Sequence, residues 1–156
     1  MTSAAENDAV SRAFIAEATN GLDDRNLDAY KDPGYTVHRS GFHNLHELTG
    51  RAIADPDDPD PLAGFRALHR AFEGWNAQVT DSVAAGDLVA TRMEVTGRHV
   101  GDFLGIPASG QPIRISEIGV RRFRDGRMVE GWWMADEIGL LRQIGVDIAP
   151  LLRPDR

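Results

Sequence analysis

Two acidic residues, Glu117 and Asp136, lie near the far ends of two apolar, alternating runs joined by Asp125-Gly126. An Asp-Gly pair between such runs predicts a β-hairpin with a two-residue turn. Side chains alternate between the two faces of a strand, and this turn sets Glu117 opposite Met134. Asp136 and Glu117 then share one face as diagonal neighbours, about 7–8 Å apart. Two carboxyl groups so placed indicate the floor of a pocket.

Asp136 is the first candidate for chemistry, as a general acid/base. A carboxyl group at the end of an apolar strand, beside Trp132 and Trp133, is expected to lose solvent, which raises its pKa. A raised pKa suits removal of a proton next to a carbonyl group at neutral pH. The alternative is that Asp136 caps a helix beginning at Glu137. The residues alone leave both roles open.

His99 and Glu117 are the second and third candidates. Alternation along Leu88 to His99 puts His99 on the face of Met93, so it is expected to point inward and to bind or polarise a substrate carbonyl. It could instead be a buried histidine bonded to a neighbour. Glu117 lies inside the apolar run ISEIGV. It could be a second acid/base in the cavity or the partner of an arginine.

The same register assigns the rest of the hairpin to two faces. Trp132 and Met134 face the predicted cavity, and Arg121 lies opposite Glu130 as a cross-strand ion pair. Apolar residues on the outer face form a patch, which predicts a homo-oligomer, most simply a dimer. This patch consists of Ile118, Val120, Val129, Gly131 and Trp133.

The elements that would position these residues follow an α+β order, with helical signals first and strand signals after them. Ser3 to Glu6 is a capping box that begins one helix, and Asp60-Pro61 begins another. Long antiparallel strands are expected after Gly74. The strand candidates are Tyr35 to Arg39, Trp75 to Ala84, Leu88 to His99, Ile113 to Phe123 and Met128 to Ala135.

Length and composition predict one globular domain, residues 1–156. The net charge of −7 argues against a nucleic-acid partner. The chain has no cysteine, no apolar run near ~20 residues and no signal-peptide pattern, so we expect no disulfide, no membrane contact and a cytoplasmic location. No histidine spacing fits a metal and no glycine-rich loop fits a nucleotide, so no metal and no cofactor are expected.

The only lysine, Lys31, adjoins Asp32-Pro33 in an expected loop, which argues against a Schiff base.

The C-terminal half carries motifs of a known family. They are Gly101 to Pro107 (Gly-x-Phe-x-Gly-Ile-Pro), Gly110, Arg122-Phe123, Asp125-Gly126-Arg127, Glu130-x-Trp132, Asp136 and Gly139 to Gly145 (Gly-Leu-Leu-x-Gln-Ile-Gly). Together they resemble the SnoaL-like polyketide cyclases, densely from Gly86 onward. The resemblance implies an NTF2-like cone, in which a curved mixed or antiparallel sheet wraps around N-terminal helices and encloses a pocket.

The resemblance also implies a function, namely cofactor-independent, acid/base-catalysed ring closure of aldol type on a polyketide-derived or related secondary metabolite. In such cyclases the aspartate at the position of Asp136 is the acid/base. His99 falls on a histidine position, although Gly97-Arg98 precedes it where the family has Gly-Thr. The same pocket could open an epoxide, close a ring through an oxygen nucleophile, or bind a small molecule without catalysis. The expected substrate-binding residues are Trp132, Met134, His38, Tyr35, Met93 and Phe103.

Overall fold

Helices occupy most of the N-terminal part of the chain and long strands follow, as the order of signals predicts. The computed structural model describes residues 2–152. In chain order the elements are α1 (Ala4–Phe14), a π-helical continuation (Ile15–Asn20), α2 (Leu27–Tyr30), β1 (Lys31–Arg39), α3 (His43–Thr49), α4 (Ala63–Ala71), β2 (Phe72–Ala85), β3 (Leu88–His99), β4 (Pro112–Arg124), β5 (Arg127–Ala135), α5 (Glu137–Gln143) and a 3₁₀ turn (Ala149–Leu152). Within this part of the chain, no helix is long and apolar enough to span a membrane.

The first helix begins at the predicted capping box. The Ser3 hydroxyl accepts a hydrogen bond from the Glu6 N–H, and the Glu6 carboxylate accepts one from the Ser3 N–H at 2.6 Å. The helix widens into a π-helix from Ile15, and both Phe14 and Ile15 are buried. Phe14 and Ile15 both line a cavity beneath this helix, and π-helical turns are frequent at such sites.

The five strands form an open mixed sheet in the order β1-β5-β4-β3-β2. β1 runs parallel to β5, and the other three pairs are antiparallel. Helix α1 packs on β2 and β3, and α4 packs on β2. One face of the sheet is therefore covered by the N-terminal helices, and we call it the inner face.

The Asp125-Gly126 turn of the hairpin forms as predicted. Both residues have positive φ, 51° and 79°, and the pairing of Phe123 with Met128 follows the predicted register. Beyond that pair, Val129 is an extra residue in β5, so Glu130 pairs with Arg122 and not with the predicted Arg121. This is a β-bulge, and a shift of one residue exchanges the two faces of a strand.

The predicted register is therefore wrong beyond the bulge. Glu117 lies opposite Ala135, not opposite Met134. Trp133, predicted to face outward, lies on the inner face. Trp132 and Met134, predicted to line the cavity, lie on the outer face. The reason is local, because one unpaired residue near the turn reverses the orientation of every later side chain in β5.

The predicted ion pair between Arg121 and Glu130 is also wrong. Arg122 makes this pair, with 2.9 Å between its Nε and the Glu130 Oε2 atom. Arg121 points to the inner face and its side chain is fully buried. The bulge thus turns Glu130 to the outer face and leaves Arg121 in the interior without the predicted partner.

Candidate active site

A cavity of about 460 Å³ lies between the inner face of the sheet and the N-terminal helices. This volume is in the range of small-molecule sites. Its walls are mainly apolar and aromatic. The helical side contributes Phe14, Ile15, Phe65 and Leu68, and the sheet contributes Tyr35, Val37, Trp75, Ala77, Met93, Glu117 and Trp133.

Glu117 is the only acidic residue lining this cavity in the described part of the chain. It projects from the middle of β4, between Met93 on β3 and Ala135 on β5. Within residues 2–152, its carboxyl group accepts no hydrogen bond, and Gly41 lies beside it, so that a Cβ atom there would stand 3.4 Å from Oε1. The carboxyl group therefore faces the cavity without a fixed partner.

Burial raises the pKa of Glu117 to about 7 from its ordinary 4.5, and the positive charge of Arg121 opposes that rise. A carboxyl group in an apolar environment favours its protonated form because the charged form loses hydration. With a pKa near 7, Glu117 exchanges its proton readily at neutral pH. This property suits a general acid/base.

The guanidinium group of Arg121 lies 4.1 Å from the ring centroid of Trp133, which itself lines the cavity. Its Nη1 atom donates a hydrogen bond to the Thr91 hydroxyl at 2.9 Å, whereas Nε and Nη2 have no partner among the described residues. Burial lowers the pKa of Arg121 to about 10, so the side chain keeps its charge at neutral pH. Trp133 therefore separates a buried cation from the cavity and is held by a cation–π contact.

Two glycines make room for the aromatic floor of the cavity. A Cβ atom on Gly119 would stand 2.7 Å from the Trp133 ring, and one on Gly131 would stand 2.2 Å from the Tyr35 hydroxyl oxygen. Neither distance is possible for a real side chain. Only glycine at these two strand positions allows both rings to lie directly on the sheet.

Lys31 is placed differently from its expected loop. It begins β1, lines the cavity, and its Nζ atom lies 5.0 Å from the ring centroid of Tyr35. Burial lowers the pKa of Lys31 and raises that of the Tyr35 hydroxyl. The only lysine of the chain is therefore a residue of the cavity.

Three of the predicted site residues, Glu117, Met93 and Tyr35, line the cavity together. Asp136 does not. Its side chain is exposed and caps α5, with Oδ1 accepting a hydrogen bond from the Gly139 N–H at 2.8 Å. The predicted proximity of Asp136 and Glu117 in one cavity is wrong, because the inner position opposite Glu117 belongs to Ala135.

His99 points inward as predicted, but it does not line the cavity. It lies six residues beyond Met93, on the order of 20 Å along β3. Its Nδ1 atom lies 3.0 Å from the Ser109 hydroxyl, its ring stacks on Phe72 with 5.2 Å between centroids, and burial lowers its pKa. The structure therefore agrees with the alternative of a buried histidine.

Phe103, a predicted substrate-binding residue, does not line the cavity of Glu117. It packs edge-on against Phe72 and borders a separate cavity of about 570 Å³.

The three remaining predicted contacts lie on the outer face. The ring of His38 stacks on Trp132 at 4.8 Å, and its Nε2 atom lies 3.0 Å from Glu130 Oε1. Met134 is 58% exposed. Their predicted position in the cavity is wrong. For Trp132 and Met134 the cause is the bulge, and for His38 it is the alternation in β1, whose inner positions are Tyr35 and Val37.

A second glutamate, Glu137, is buried, and this was not expected from the sequence. Its carboxylate accepts hydrogen bonds from Arg39 Nη2 at 3.2 Å, Asn44 Nδ2 at 3.1 Å and the Leu45 N–H at 2.6 Å. These donors belong to the end of β1 and the first turn of α3. Glu137 therefore anchors α5 to the N-terminal half and does not face the cavity.

A family model described as SnoaL-like polyketide cyclase matches residues 10–144. The chain belongs to this family. It is 29% identical over 126 residues to the aklanonic acid methyl ester cyclase DnrD of Streptomyces peucetius, covering 78% of this chain and 86% of that protein. SnoaL-like cyclases are enzymes, and the predicted family is thereby confirmed.

Solved structures agree with the family and the fold. Wild-type IdmH from Streptomyces antibioticus is 31% identical and superposes with a TM-score of 0.70, covering 90% of this chain and 99% of that one. TsrD from Streptomyces laurentii is 28% identical with a TM-score of 0.70, covering 94% and 100%. The predicted NTF2-like α+β fold is confirmed.

Proposed function

We propose that this cyclase closes a ring in a polyketide-derived substrate by an intramolecular aldol-type reaction, with Glu117 as the acid/base. The observation that carries the proposal is a single carboxyl group in an apolar cavity, free of hydrogen bonds from described residues, with its pKa raised to about 7. The similarity to DnrD, named as a cyclase of aklanonic acid methyl ester, supports a polyketide ester or acid as substrate.

The reaction requires only proton transfers and one new carbon–carbon bond. Ionised Glu117 removes a proton from the carbon next to a substrate carbonyl, which leaves an enolate. The enolate carbon attacks a second carbonyl group of the same molecule, and the resulting alkoxide takes up the proton held by Glu117, directly or through water. Substrate and product are isomers, so no co-reactant is consumed.

The surroundings of Glu117 support both halves of this cycle. Burial favours the protonated form, and Arg121 favours the ionised form, so neither is strongly excluded at neutral pH. The positive charge of Arg121 also lowers the energy of the negative charge that forms on the substrate. Apolar and aromatic walls limit water around the enolate, which would otherwise be protonated by solvent before the ring closes.

Glu117→Gln tests the assignment because it preserves the size of the side chain and removes the acid. Turnover of aklanonic acid methyl ester, or of another polyketide found to react, is expected to fall about 10²–10⁴-fold. Product is measured by chromatography coupled to mass spectrometry. The chromatography separates the ring-closed isomer from its substrate, because the two have the same mass.

Asp136→Asn is the matched control, because Asn also accepts the capping hydrogen bond that Asp136 makes. Its turnover is expected to stay within about twofold of the wild type. A large loss in Asp136→Asn together with near-normal turnover in Glu117→Gln would return the acid/base role to the residue that the family motif favours.

We also propose that the protein is a homodimer built on the outer face of β4 and β5. The bulge replaces Trp133 by Trp132 in the apolar patch, but a patch remains. Ile118 and Met134 are a cross-strand pair and are 52% and 58% exposed. Such a patch with a tryptophan at its edge is typical of a protein–protein contact.

Sedimentation of the wild type and of Trp132→Glu tests this interface. The wild type is expected to sediment as a dimer at micromolar concentration and the variant as a folded monomer. Val83→Glu is the control, because Val83 is equally apolar and 69% exposed but lies on the distant edge strand β2. A monomeric wild type would rule out the proposed dimer.

A further inference from the structure

Lys31 is the only lysine of the chain, and it faces the cavity with no acidic partner in the described residues. Its Nζ atom lies over the ring of Tyr35, 5.0 Å from the centroid. The adjacent carboxylate of Asp32 faces Arg124 instead, at 3.9 Å. The amine is half-buried, and burial is the only influence that lowers its pKa.

A half-buried ammonium group loses hydration, and the Tyr35 ring offsets only part of that loss. Cation–π contacts contribute less than a charge-assisted hydrogen bond to a carboxylate. The other cation near the cavity differs, since Arg121 is shielded by Trp133 and interacts electrostatically with Glu117. Among residues 2–152, only Lys31 presents a positive charge to a molecule in the cavity with no protein anion beside it.

The position of Lys31 relative to Glu117 restricts what this charge can do. On β5, Lys31 pairs with Met128 and Glu117 pairs with Ala135, seven residues further along. The two backbone positions are therefore on the order of 20 Å apart. An imine formed at Lys31 would be too far from Glu117 for that residue to deprotonate its neighbouring carbon.

The space between the two residues is occupied by the aromatic floor. Tyr35 lies next to Lys31, and Trp133 lies between Tyr35 and β4. A flat, elongated molecule lying on these two rings reaches both ends of the cavity. One end meets a cation and the other meets the proposed acid/base.

We propose that Lys31 binds a carboxylate carried by the substrate at the end remote from the carbon that Glu117 deprotonates. A carboxylate is the fitting anion because it is ionised at neutral pH, whereas a phenol with a pKa near 10 is not. The inference rests on the proposed function for the position of the reacting carbon. It adds that the preferred substrate carries a free carboxylate at this remote end.

The test compares two probes that differ in one charge, an anthraquinone carboxylate and its methyl ester. Calorimetry on the wild type is expected to give a dissociation constant for the acid about tenfold or more below that for the ester. Lys31→Met keeps the apolar stem and removes the charge. This variant is therefore expected to bind both probes with the affinity that the wild type has for the ester. Lys31→Arg is expected to restore the preference for the acid.

Two further variants make the result specific. Arg142→Met removes one positive charge from the exposed end of α5 and is expected to keep the wild-type preference, which excludes an effect of net charge. Glu117→Gln is expected to keep the preference as well, so the anion site is measured independently of catalysis. Thermal unfolding of Lys31→Met shows whether it is folded.

Equal binding of acid and ester by the wild type, or an unchanged preference in Lys31→Met, would overturn the anion site alone. A wild type that binds neither probe would overturn the anion site and also contradict a cavity that accepts flat polyketides. Loss of turnover in Glu117→Gln with intact probe preference supports both proposals.

Discussion

Glu117 is a half-buried glutamate and Glu137 a buried one, and their surroundings are opposite. Glu137 accepts hydrogen bonds from a guanidinium group, a side-chain amide and a backbone N–H. Glu117 accepts none from the described residues and faces an apolar cavity. A carboxylate surrounded by donors is held in place and fixes the structure. One without donors exchanges its proton and is available to a substrate.

Glu137 therefore has a structural role, whereas Glu117 is the proposed acid/base. The donors around Glu137 come from β1 and α3, so its charge connects the two halves of the chain. Burial of Glu117 instead disfavours its charge, and folding is less favourable when that carboxyl group is ionised. Substitution and pH are therefore expected to affect the two glutamates differently.

The largest expected effect is on the pH dependence of stability at Glu117. Its pKa is raised from 4.5 to about 7 by folding, so the folded state binds the proton more tightly than the unfolded state. Protonated Glu117 therefore favours the folded state relative to ionised Glu117. This contribution to the free energy of unfolding is complete below pH 4.5 and is lost as the pH rises through 7. Glu117→Gln resembles the protonated form and is expected to be about 3 kcal/mol more stable than the wild type at pH 8.

Urea unfolding of both proteins at pH 4.5 and pH 8 measures this difference. At pH 4.5 the two free energies of unfolding are expected to agree closely. A variant less stable than the wild type at pH 8 would mean that the carboxylate of Glu117 is stabilised in the folded protein, contrary to its cavity environment.

Turnover is expected to depend on the ionised form of Glu117. If this residue is the base, kcat/KM rises with pH and levels off above about 7, so the value at pH 5 is about a hundredfold lower than at pH 8. Steady-state rates between pH 5 and pH 8 measure the profile. A midpoint near 4.5 would contradict the raised pKa of Glu117.

Glu137→Gln is expected to destabilise the protein by about 2 kcal/mol, because Arg39 then lacks its counter-charge in a partly buried position. The pH dependence of turnover in the folded fraction is expected to stay that of the wild type. Thermal unfolding and the pH–rate profile check the two statements. A shifted midpoint in this variant would link Glu137 to the chemistry.

The smallest expected effect concerns Asp136, an exposed third carboxylate. Asp136→Ala removes the cap of α5 and is expected to cost about 1 kcal/mol, whereas Asp136→Asn is expected to cost only a few tenths. Urea unfolding of the two variants gives the difference. Equal losses in both would mean that charge, not the capping hydrogen bond, is the important property of Asp136.

Much of the fold could be predicted from local signals. The capping box at Ser3 and the turn at Asp125-Gly126 each depend on a few adjacent residues, and both occur where the sequence places them. The bulge at Val129 has no such signal, because valine fits a regular strand as well as an irregular one. The candidate site depends on that one residue, so a prediction from alternation alone places Trp132, Trp133 and Met134 on the wrong faces.

One signal could have corrected the register. Gly119 and Gly131 interrupt two otherwise well-formed strands, and a glycine inside a strand often marks the close approach of another group. A register that puts both glycines beside Trp133 places that ring on the inner face. Lys31 could not be found in this way, since its place in the cavity follows from the parallel pairing of β1 with β5, which joins distant parts of the chain.

The bulge at Val129 also has an evolutionary consequence. Deleting that one codon would make Met128 and Glu130 adjacent, opposite Phe123 and Arg122, so every later pair of β5 would stay as it is and Trp133 would remain on the inner face. The bulge therefore absorbs a one-residue change in length near a surface turn without changing the wall of the cavity. In a lineage of cyclases, insertions and deletions at this position are expected to be tolerated with the same side chains facing the substrate.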